Sequence, residues 1–199
     1  MSSVRHVNLV SDDAVLDAAR EAILAVGWSR TTLTDVAHRA GLSRMTLYRR
    51  WPDTRSLLAD LMTREWTAAV APALESRARD PLRRIVDGVV TAVRALRDNE
   101  LLARITDVDP ELLLPYLLDR RGRSQELVIE LLAGEIRDAQ QAGAVRRGRA
   151  DLLARSVVLA AHGFALSAHT MLDGEQRRGA DVRVFDKELA TLVERYLRP

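Results

Sequence analysis

Cysteine is absent from this sequence of 199 residues, and long apolar runs and aromatic residues are scarce. Without cysteine, neither a disulfide nor a cysteine-ligated zinc site can form, and an intracellular compartment is consistent with that absence. No apolar segment approaches the roughly 20 residues that span a bilayer, and the first ten residues lack the apolar core of a signal peptide. We therefore expect a cytoplasmic protein with no membrane partner.

The residue patterns that mark common catalytic sites are also missing. The sequence has no G-x-S-x-G elbow, no glycine-rich loop followed by lysine and no H-E-x-x-H motif. Two of the four histidines, His162 and His169, lie seven residues apart, whereas histidine pairs that bind metal on a helix are about three or four apart. We expect no enzyme, no metal site and no cofactor.

The charged residues are unevenly distributed along the chain. Apolar residues make up 47% of it, which predicts a globular protein of one or two compact units, and the formal net charge is only +2. A basic segment at residues 28–55 nevertheless carries a local balance of +4, which suits phosphate groups. It contains Asp35 and Asp53 against six arginines: Arg30, Arg39, Arg44, Arg49, Arg50 and Arg55.

Hydrophobic spacing and capping residues predict helices along the whole chain and no strand. Apolar residues repeat at helical spacing, and Ser, Asp or Asp-Pro often precedes such a repeat, where it would cap the first turn. The fold class is therefore all-α, with about nine helices. Three come before residue 52, a loop is expected at 173–181, and the other helices fall at about 54–66, 81–96, 110–118, 124–143, 150–172 and 183–198. The segment at 110–118 should be kinked or broken near Pro115.

Residues 31–51, TTLTDVAHRAGLSRMTLYRRW, predict two short helices joined by a tight turn. Gly41 suits the turn because glycine adopts positive φ without a Cβ clash, and Ser43 is a good N-cap for the second helix. Ala37 is small enough for the two helices to cross closely. Leu47 gives the second helix a buried side, and its other side is basic and rich in hydroxyls. A helix-turn-helix that enters a DNA major groove fits this pattern, and so does a surface hairpin with a solvated charged face.

The order of residues in this stretch resembles the signature of the TetR family of transcriptional regulators. The matching residues are Thr31, Thr32, Leu33, Asp35, Val36, Ala37, Ala40, Gly41, Leu42, Ser43, Thr46, Leu47, Tyr48 and Trp51. The resemblance implies a helix-turn-helix DNA-binding domain over 1–53, a connecting helix over 54–75 and an effector-binding and dimerisation domain over 76–199. It also implies a homodimer formed through the helices at about 150–172 and 183–198.

Small residues in the helix at 150–172 bear on that dimer. They would allow another helix to approach closely: Ala154, Ala161, Gly163, Ala165 and Ala168. Either a second subunit packs against them, or they face the core of their own chain. We favour the dimer because two-fold symmetry extends the length of DNA that a single helix-turn-helix reads.

The second helix of the motif supplies most of the DNA-binding candidates. Arg44 can bond two acceptors of a guanine, and Met45 can contact a thymine methyl or limit how deeply the helix enters the groove. In the family that the chain resembles, the hydroxyls at the positions of Thr46 and Tyr48 mainly bond phosphate. The remaining candidates would reach bases or phosphates: Arg49, Arg50, Thr32, Thr34, Thr54 and Arg55. The alternative for each arginine of the second helix is a solvated side chain, and we expect at least one of the three to be that.

The start of the fourth helix departs from the family pattern. The family usually has a phosphate-binding lysine there, and this sequence has Thr54 followed by Arg55. Thr54 can bond a phosphate through its hydroxyl and backbone N–H. The cationic contact is either lost or moved to Arg55.

The resemblance also implies a small-molecule pocket in the second domain, whose ligand would move the fourth helix. The candidates are residues that can place a polar group in an apolar bundle: Trp66, Arg104, Asp107, Tyr116, His162 and His169. A core His162 bonded to backbone and a Trp66 that only packs the domain junction fit the sequence as well. Because aromatic residues make up only 4% of the chain, we expect a mainly aliphatic pocket and a hydrophobic or amphipathic effector.

These predictions combine into a sequence-specific transcriptional regulator. The main hypothesis is a repressor that an unknown small molecule releases from double-stranded operator DNA. An activator of the same family is the alternative. A helical adaptor that binds no DNA is a third hypothesis, but an adaptor would not need so many basic and hydroxyl side chains on one exposed helix.

Overall fold

The computed structural model of the protein describes residues 10–75, 78–172 and 182–199. Those residues form nine α-helices of seven or more residues and one of five, with no strand. The helices are α1 Asp12–Val26, α2 Leu33–Arg39, α3 Arg44–Arg50, α4 Thr54–Val70, α5 Pro81–Arg97, α6 Glu100–Val108, α7 Leu114–Leu118, α8 Arg123–Gln141, α9 Ala150–Leu166 and α10 Phe185–Leu197.

Side-chain caps set the starts of the amino-terminal helices. Ser11, Thr32, Ser43 and Asp53 each accept a hydrogen bond from a backbone N–H in the first turn of α1, α2, α3 and α4. Asp80 does the same for α5, and Pro81 occupies the first helical position. Each cap contributes about 1 kcal/mol to helix stability. These starts are the ones that the sequence predicted.

Two hydrophobic cores organise the helices. The first lies under α1, α2 and α3 and includes buried leucines of α4, together with Leu101 and Ile105 of α6. The second joins α5, α8, α9 and α10, and its fully buried side chains include Ile136, Leu189 and Leu197. Because α4 and α6 contribute to the first core and run toward the second, they connect the two halves of the molecule.

A buried ionic cluster holds α10 against α5 in the second core. Asp186 is 3% exposed and pairs with Arg94 at 2.5 Å and with Arg97. Burial opposes ionisation of Asp186, but hydrogen bonds from both guanidinium groups outweigh it and hold the pKa of its carboxyl below the usual value. The start of α10 is therefore fixed by charge as well as by apolar packing.

The carboxy-terminal part of the fold differs from the sequence prediction in several details. Helix α6 was not predicted, although Asn99 caps it. The segment expected at 110–118 is broken close to Pro115, as predicted, but its first part is a 3-10 turn, Pro110–Leu112, and its second is the single turn of α7. The long helix expected to reach residue 172 ends at Leu166 and gives way to a 3-10 turn. The loop expected at 173–181 lies outside the described residues.

The alanines proposed for the subunit contact face the chain's own interior. Ala154 is fully buried in the second core, and Ala161 and Ala165 pack against that core. Ala168 is also buried, so Gly163 is the one member of the set that is exposed. For Ala154 and Ala168 the alternative interpretation is therefore correct, whereas Ala161 and Ala165 are only partly buried.

Candidate DNA-binding face and ligand cavity

The turn between α2 and α3 determines how α3 packs on the first core. Gly41 has a φ of +66°, and the Leu42 N–H donates to the Ala37 carbonyl at 2.9 Å. Ser43 then caps the start of α3. Leu47 is fully buried under α3. The turn and the buried leucine together fix which face of α3 solvent reaches.

Most of the DNA-binding candidates on α3 lie on that solvent-facing side. Arg44 and Arg49 are exposed, Met45 is 78% exposed and Tyr48 is 47% exposed. Thr46 is half-buried, and its hydroxyl shares a hydrogen bond with the Ser43 hydroxyl. The face presents guanidinium and hydroxyl groups, which are the groups that bond base edges and phosphates in protein–DNA complexes.

Arg50 differs from the other arginines of α3 because its partly buried guanidinium is bound to groups of the protein itself. Its guanidinium donates to the Val10 carbonyl at 2.8 Å and to the Asp12 carboxylate at 3.1 Å. These contacts tie the end of α3 to the start of α1. Arg44 and Arg49 have no such contact among the described residues and are the arginines that α3 presents to solvent.

The threonine candidates at the start of α2 are partly engaged. The Thr32 hydroxyl accepts from the Asp35 N–H at 3.2 Å and donates to the Asp35 carboxylate at 2.5 Å. Thr34 is half-buried in the first turn of α2. A phosphate contact from Thr32 would therefore have to share or replace its bond to Asp35.

The start of α4 carries charges of both signs. Thr54 and Arg55 are the first two residues of α4, and Asp53 is its N-cap. The Ser56 N–H donates to the Asp53 carboxylate at 2.7 Å, and this backbone hydrogen bond is the largest cause that holds the pKa of Asp53 below its usual value. An ionised carboxylate and an exposed guanidinium thus lie side by side where the family usually has a lysine.

A cavity of about 360 Å³, which we call the α4 cavity, lies between the two halves of the molecule. Its volume falls within the range of about 300–1,000 Å³ that is typical of small-molecule sites. Walls come from α4, α6, α7, the start of α8 and the end of α9. The wall formed by α4 is lined by Ser56, Leu58, Ala59, Met62, Thr63 and Trp66.

The structure divides the six predicted ligand residues among three places. Trp66, Tyr116 and His162 line the α4 cavity, where the Trp66 and His162 rings meet edge to face with centroids 6.2 Å apart. Asp107 and His169 line a separate cavity of about 260 Å³ near the end of α9. Arg104 lines neither, and its Nε is buried without a hydrogen-bond partner in the described part of the chain. The six therefore do not form one pocket.

The protonation of His162 follows from its position in the cavity wall. Burial lowers the pKa of His162 below the ordinary histidine value, because a low-dielectric environment disfavours the charged ring. At neutral pH the ring is therefore neutral, with one nitrogen that donates and one that accepts. A ligand that enters the cavity meets a polar but uncharged group at this point.

Sequence reasoning missed three arginines beside the cavity. Arg120, Arg121 and Arg123 line it and are exposed. The Arg120 guanidinium lies 5.5 Å from the centroid of the Tyr116 ring, and Arg123 pairs with Asp60 at 3.2 Å. Arginine is so frequent in this chain that no spacing or composition signal distinguishes these three.

Sequence reasoning also missed Asp109, which joins the two halves of the molecule. Its carboxylate is 3% exposed and accepts hydrogen bonds from the Trp28 N–H at 2.8 Å, the Ser29 N–H at 3.3 Å and the Ser29 hydroxyl. The Asp109–Pro110 pair was interpreted as a helix start, yet Asp109 makes no capping bond to the turn that follows. It fastens the end of α6 to the chain between α1 and α2 instead.

The described ranges contain neither a cluster of metal-ligating side chains nor a membrane-spanning helix. No group of three or more His, Asp or Glu side chains there is arranged to hold a metal ion. No helix within the same ranges combines the length and hydrophobicity needed to cross a bilayer.

Known proteins are similar to this chain in sequence or in fold. The family model described as bacterial regulatory proteins, tetR family, matches residues 15–61. An uncharacterized HTH-type transcriptional regulator of Mycobacterium bovis is 38% identical over 155 residues, which cover 77% of this chain and 79% of the relative. The R. erythropolis transcriptional repressor QsdR has a TM-score of 0.68 at 16% identity, over 94% of this chain and 93% of that chain. SmeT, the repressor of a Stenotrophomonas maltophilia multidrug efflux pump, has a TM-score of 0.66 at 16% identity, over 96% of this chain and 92% of that chain.

The fold, the helix-turn-helix and these similarities define a class of protein, the helix-turn-helix transcriptional regulators. Within that class, the chain belongs to the TetR family. Proteins of this family bind operator DNA and act as dimers.

Proposed function

We propose that this protein is a repressor that leaves its operator when a hydrophobic or amphipathic small molecule occupies the α4 cavity. The position of α4 carries the proposal. Its first residues, Thr54 and Arg55, belong to the DNA-binding candidates, and three of its later side chains, Met62, Thr63 and Trp66, line the cavity. One rigid helix therefore connects the cavity to the helix-turn-helix.

The exposed side of α3 would read the operator. Arg44 lies in the first turn of α3, where a recognition helix contacts base edges, and its guanidinium can bond guanine O6 and N7 together. Met45 would contact a thymine methyl. Thr46 and Tyr48 would bond phosphates, and Arg49 would bond a base or a phosphate.

Residues beside α3 would add phosphate contacts. The hydroxyls of Thr32 and Thr34 begin α2, and Thr54 and Arg55 begin α4. Among these residues only Arg55 carries a positive charge, so it would replace the lysine that the family usually has. Arg50 would support binding indirectly, because its contacts with Val10 and Asp12 hold the end of α3 in place.

A homodimer would place two recognition helices on one operator. Exposed apolar side chains lie along α9 and along α10 with the residue before it. The exposed fractions are 54% for Leu152 and 75% for Leu159 on α9, 60% for Val184 just before α10, and 46% for Leu192 on α10. Large apolar side chains at this exposure on neighbouring helices are a typical subunit contact. A second copy of the chain, packed through α9 and α10, would cover them.

The energy needed for release is modest. A tenfold to hundredfold loss of operator affinity requires a coupling free energy of about 1.4–2.7 kcal/mol between ligand and DNA, within the range usual for allosteric proteins. The ligand supplies this coupling free energy if it binds more tightly to one orientation of α4 than to a second, differently tilted orientation. The bond between Asp109 and Ser29 gives a second connection, since Leu112 and Leu113, just after Asp109, also line the cavity.

The proposal is tested by selecting operator DNA from a random library with the purified protein, and then placing that operator upstream of or across a promoter. A repressor lowers reporter expression when the protein is present, and an activator raises it. Loss of the effect in the Arg44→Ala variant would show that it depends on α3. Unchanged expression with a confirmed operator at the promoter would contradict the proposal.

A further inference from the structure

The interior of the α4 cavity is mainly apolar, and every charged residue of its lining is solvent-exposed. Leu58, Leu102 and Ile105 line it and are at most 8% exposed. Other apolar side chains add to the lining: Met62, Leu112, Leu113, Leu117 and Leu166. The remaining uncharged side chains of the lining include Trp66, Tyr116 and His162. Because an unpaired charge is strongly disfavoured in such surroundings, the buried part of a ligand must itself be apolar.

Every charged residue that lines the cavity is exposed and therefore belongs to its mouth. Arg120 and Arg121 also line an adjoining groove of about 770 Å³ along α9, so they mark the place where the cavity opens. The charged lining residues comprise four arginines and one aspartate: Arg55, Arg120, Arg121, Arg123 and Asp53.

The arginines of the mouth are only partly neutralised by the protein. Arg120 contacts the Tyr116 ring and has no carboxylate within ion-pair distance in the described part of the chain. Arg121 has a single distant partner, Glu126, at 3.9 Å. The mouth therefore attracts an anion and disfavours a cation.

We infer that the cavity takes an amphipathic anion: an aliphatic chain that ends in one carboxylate or phosphate group, with the chain inside and the head group at Arg120 and Arg121. The inference rests on the proposed function only in taking this cavity as the effector site. Guanidinium groups suit both heads, since they bond carboxylate and phosphate oxygens in pairs. The arginines are thus specificity-determining residues rather than ordinary surface charges.

The first test compares heads and chain lengths on the wild-type protein. Octanoate, decanoate and dodecanoate are titrated below micelle formation, with calorimetry for stoichiometry and tryptophan fluorescence as a second readout. We expect one molecule per chain and an affinity that rises about fourfold for each added methylene until the cavity is filled. Dodecyl phosphate is titrated in the same way, and its affinity compared with that of dodecanoate shows which of the two head groups binds more tightly.

Uncharged and cationic analogues of the same chain length test the role of the head. Methyl dodecanoate and dodecyltrimethylammonium should bind at least about tenfold more weakly than dodecanoate, because they lose the charge-assisted bonds to arginine. If the ester or the cation binds as tightly as dodecanoate, the inference is overturned.

A matched pair of variants locates the head group. Arg120→Gln should weaken dodecanoate binding about tenfold and leave the affinity for the methyl ester nearly unchanged. Arg147→Gln makes the same change of charge at an exposed arginine that does not line the cavity, and should behave as wild type. Equal affinities in the two variants would overturn the assignment of Arg120. Because both side chains are exposed, thermal unfolding checks that each variant is folded.

Adding dodecanoate to the operator complex separates this inference from the proposed function. If dodecanoate binds and releases DNA, both are supported. If it binds at Arg120 without releasing DNA, the ligand class stands and the release mechanism fails. If operator binding is intact but no amphipathic anion binds, the ligand class is wrong and the regulator function stands.

Discussion

At the scale of single residues, Arg44 is the side chain best placed to read a base, because it is exposed in the first turn of α3. We expect Arg44→Ala to cost about 1–3 kcal/mol of operator binding and to relax the preference at one base position. Binding to a panel of single-base operator variants measures both effects. A selectivity profile identical to that of wild type would refute the base-reading role.

Two other variants on α3 serve as comparisons for Arg44→Ala. Tyr48→Phe removes a hydroxyl proposed to bond phosphate, so it should weaken binding about equally on every operator of the panel. Arg50→Ala removes the contacts with Val10 and Asp12, so it should lower thermal stability and leave base preference unchanged. A change of preferred base in either variant would mean that our division of roles on α3 is wrong.

The lowered pKa of Asp109 predicts that the stability of the fold depends on pH. Burial opposes its ionisation, but hydrogen bonds from Ser29 and the Trp28 amide outweigh burial, so the pKa of Asp109 in the folded protein lies below its usual value. A lowered pKa stabilises the fold above the unfolded-state pKa of about 3.9, and that contribution is lost as the pH falls through the lower, folded-state pKa.

The matching variant is Asp109→Asn, whose amide cannot accept all three bonds. Near pH 7 we expect it to lower the free energy of unfolding by about 1–3 kcal/mol. The difference from wild type should shrink as the pH falls below about 4, where Asp109 becomes protonated in the unfolded chain, and should be lost below its lower folded-state pKa. Denaturant titrations at several pH values measure it, and a difference that stays constant down to pH 2 would contradict this account.

At the scale of elements, α4 is the helix through which we propose that a ligand acts on DNA. Trp66 lines the cavity against His162, and Thr54 begins the same helix beside the DNA-binding face. We expect Trp66→Ala to change the concentration of effector needed for release more than it changes operator affinity. Competition assays on a labelled operator, with dodecanoate as the first effector tried, measure the two quantities separately.

The alternative for Trp66 is simple packing at the junction of the two halves. In that case Trp66→Ala would lower the unfolding temperature, yet the effector would release the folded variant from DNA at the same concentration as wild type. That outcome would remove Trp66 from the sensing site. It would leave the cavity and the other residues of its wall unaffected.

Local signals made the amino-terminal elements predictable, whereas packing decides the carboxy-terminal ones. Ser11, Ser43 and Gly41 act on their own turn, so their effects can be read from the sequence. Helix α6 was missed because only Asp98 and Asn99 separate it from α5, without a glycine or proline to mark the break. Which face of α9 a second chain would cover depends on what α8 and α10 already bury.

The cavity was only partly predictable for the same reason. Trp66, Tyr116 and His162 were selected as polar groups in apolar segments, and they line it. Asp107 and His169 satisfied the same criterion and line another cavity, because only the tertiary fold determines which face of α6 and α9 meets α4. The arginines of the cavity mouth are exposed, and no sequence pattern distinguishes an exposed arginine beside a cavity from an exposed arginine elsewhere.

At the scale of the whole molecule, the proposed dimer depends on apolar side chains that the single chain leaves exposed. Leu159→Arg would place a charge in that contact, so we expect the dimer to weaken by at least about tenfold. Operator affinity should fall with it. Leu114→Arg is the control, since Leu114 is also exposed but lies on α7.

Sedimentation equilibrium at micromolar concentration gives the oligomeric state of each variant. Wild type and Leu114→Arg should be dimers, and Leu159→Arg should dissociate while each chain remains helical. A monomeric wild type with full operator affinity would contradict the dimer.

The central claim is that two copies of α3 read one operator, and the sequence selected from a random DNA library tests it most directly. Two-fold symmetry predicts a pseudo-palindrome whose half-site centres lie about one helical turn apart, roughly 34–36 Å, or a small multiple of that distance. The Arg44→Ala protein should select the same spacing with one base position relaxed in each half. Enrichment of no motif, or of a single half-site without symmetry, would contradict the account.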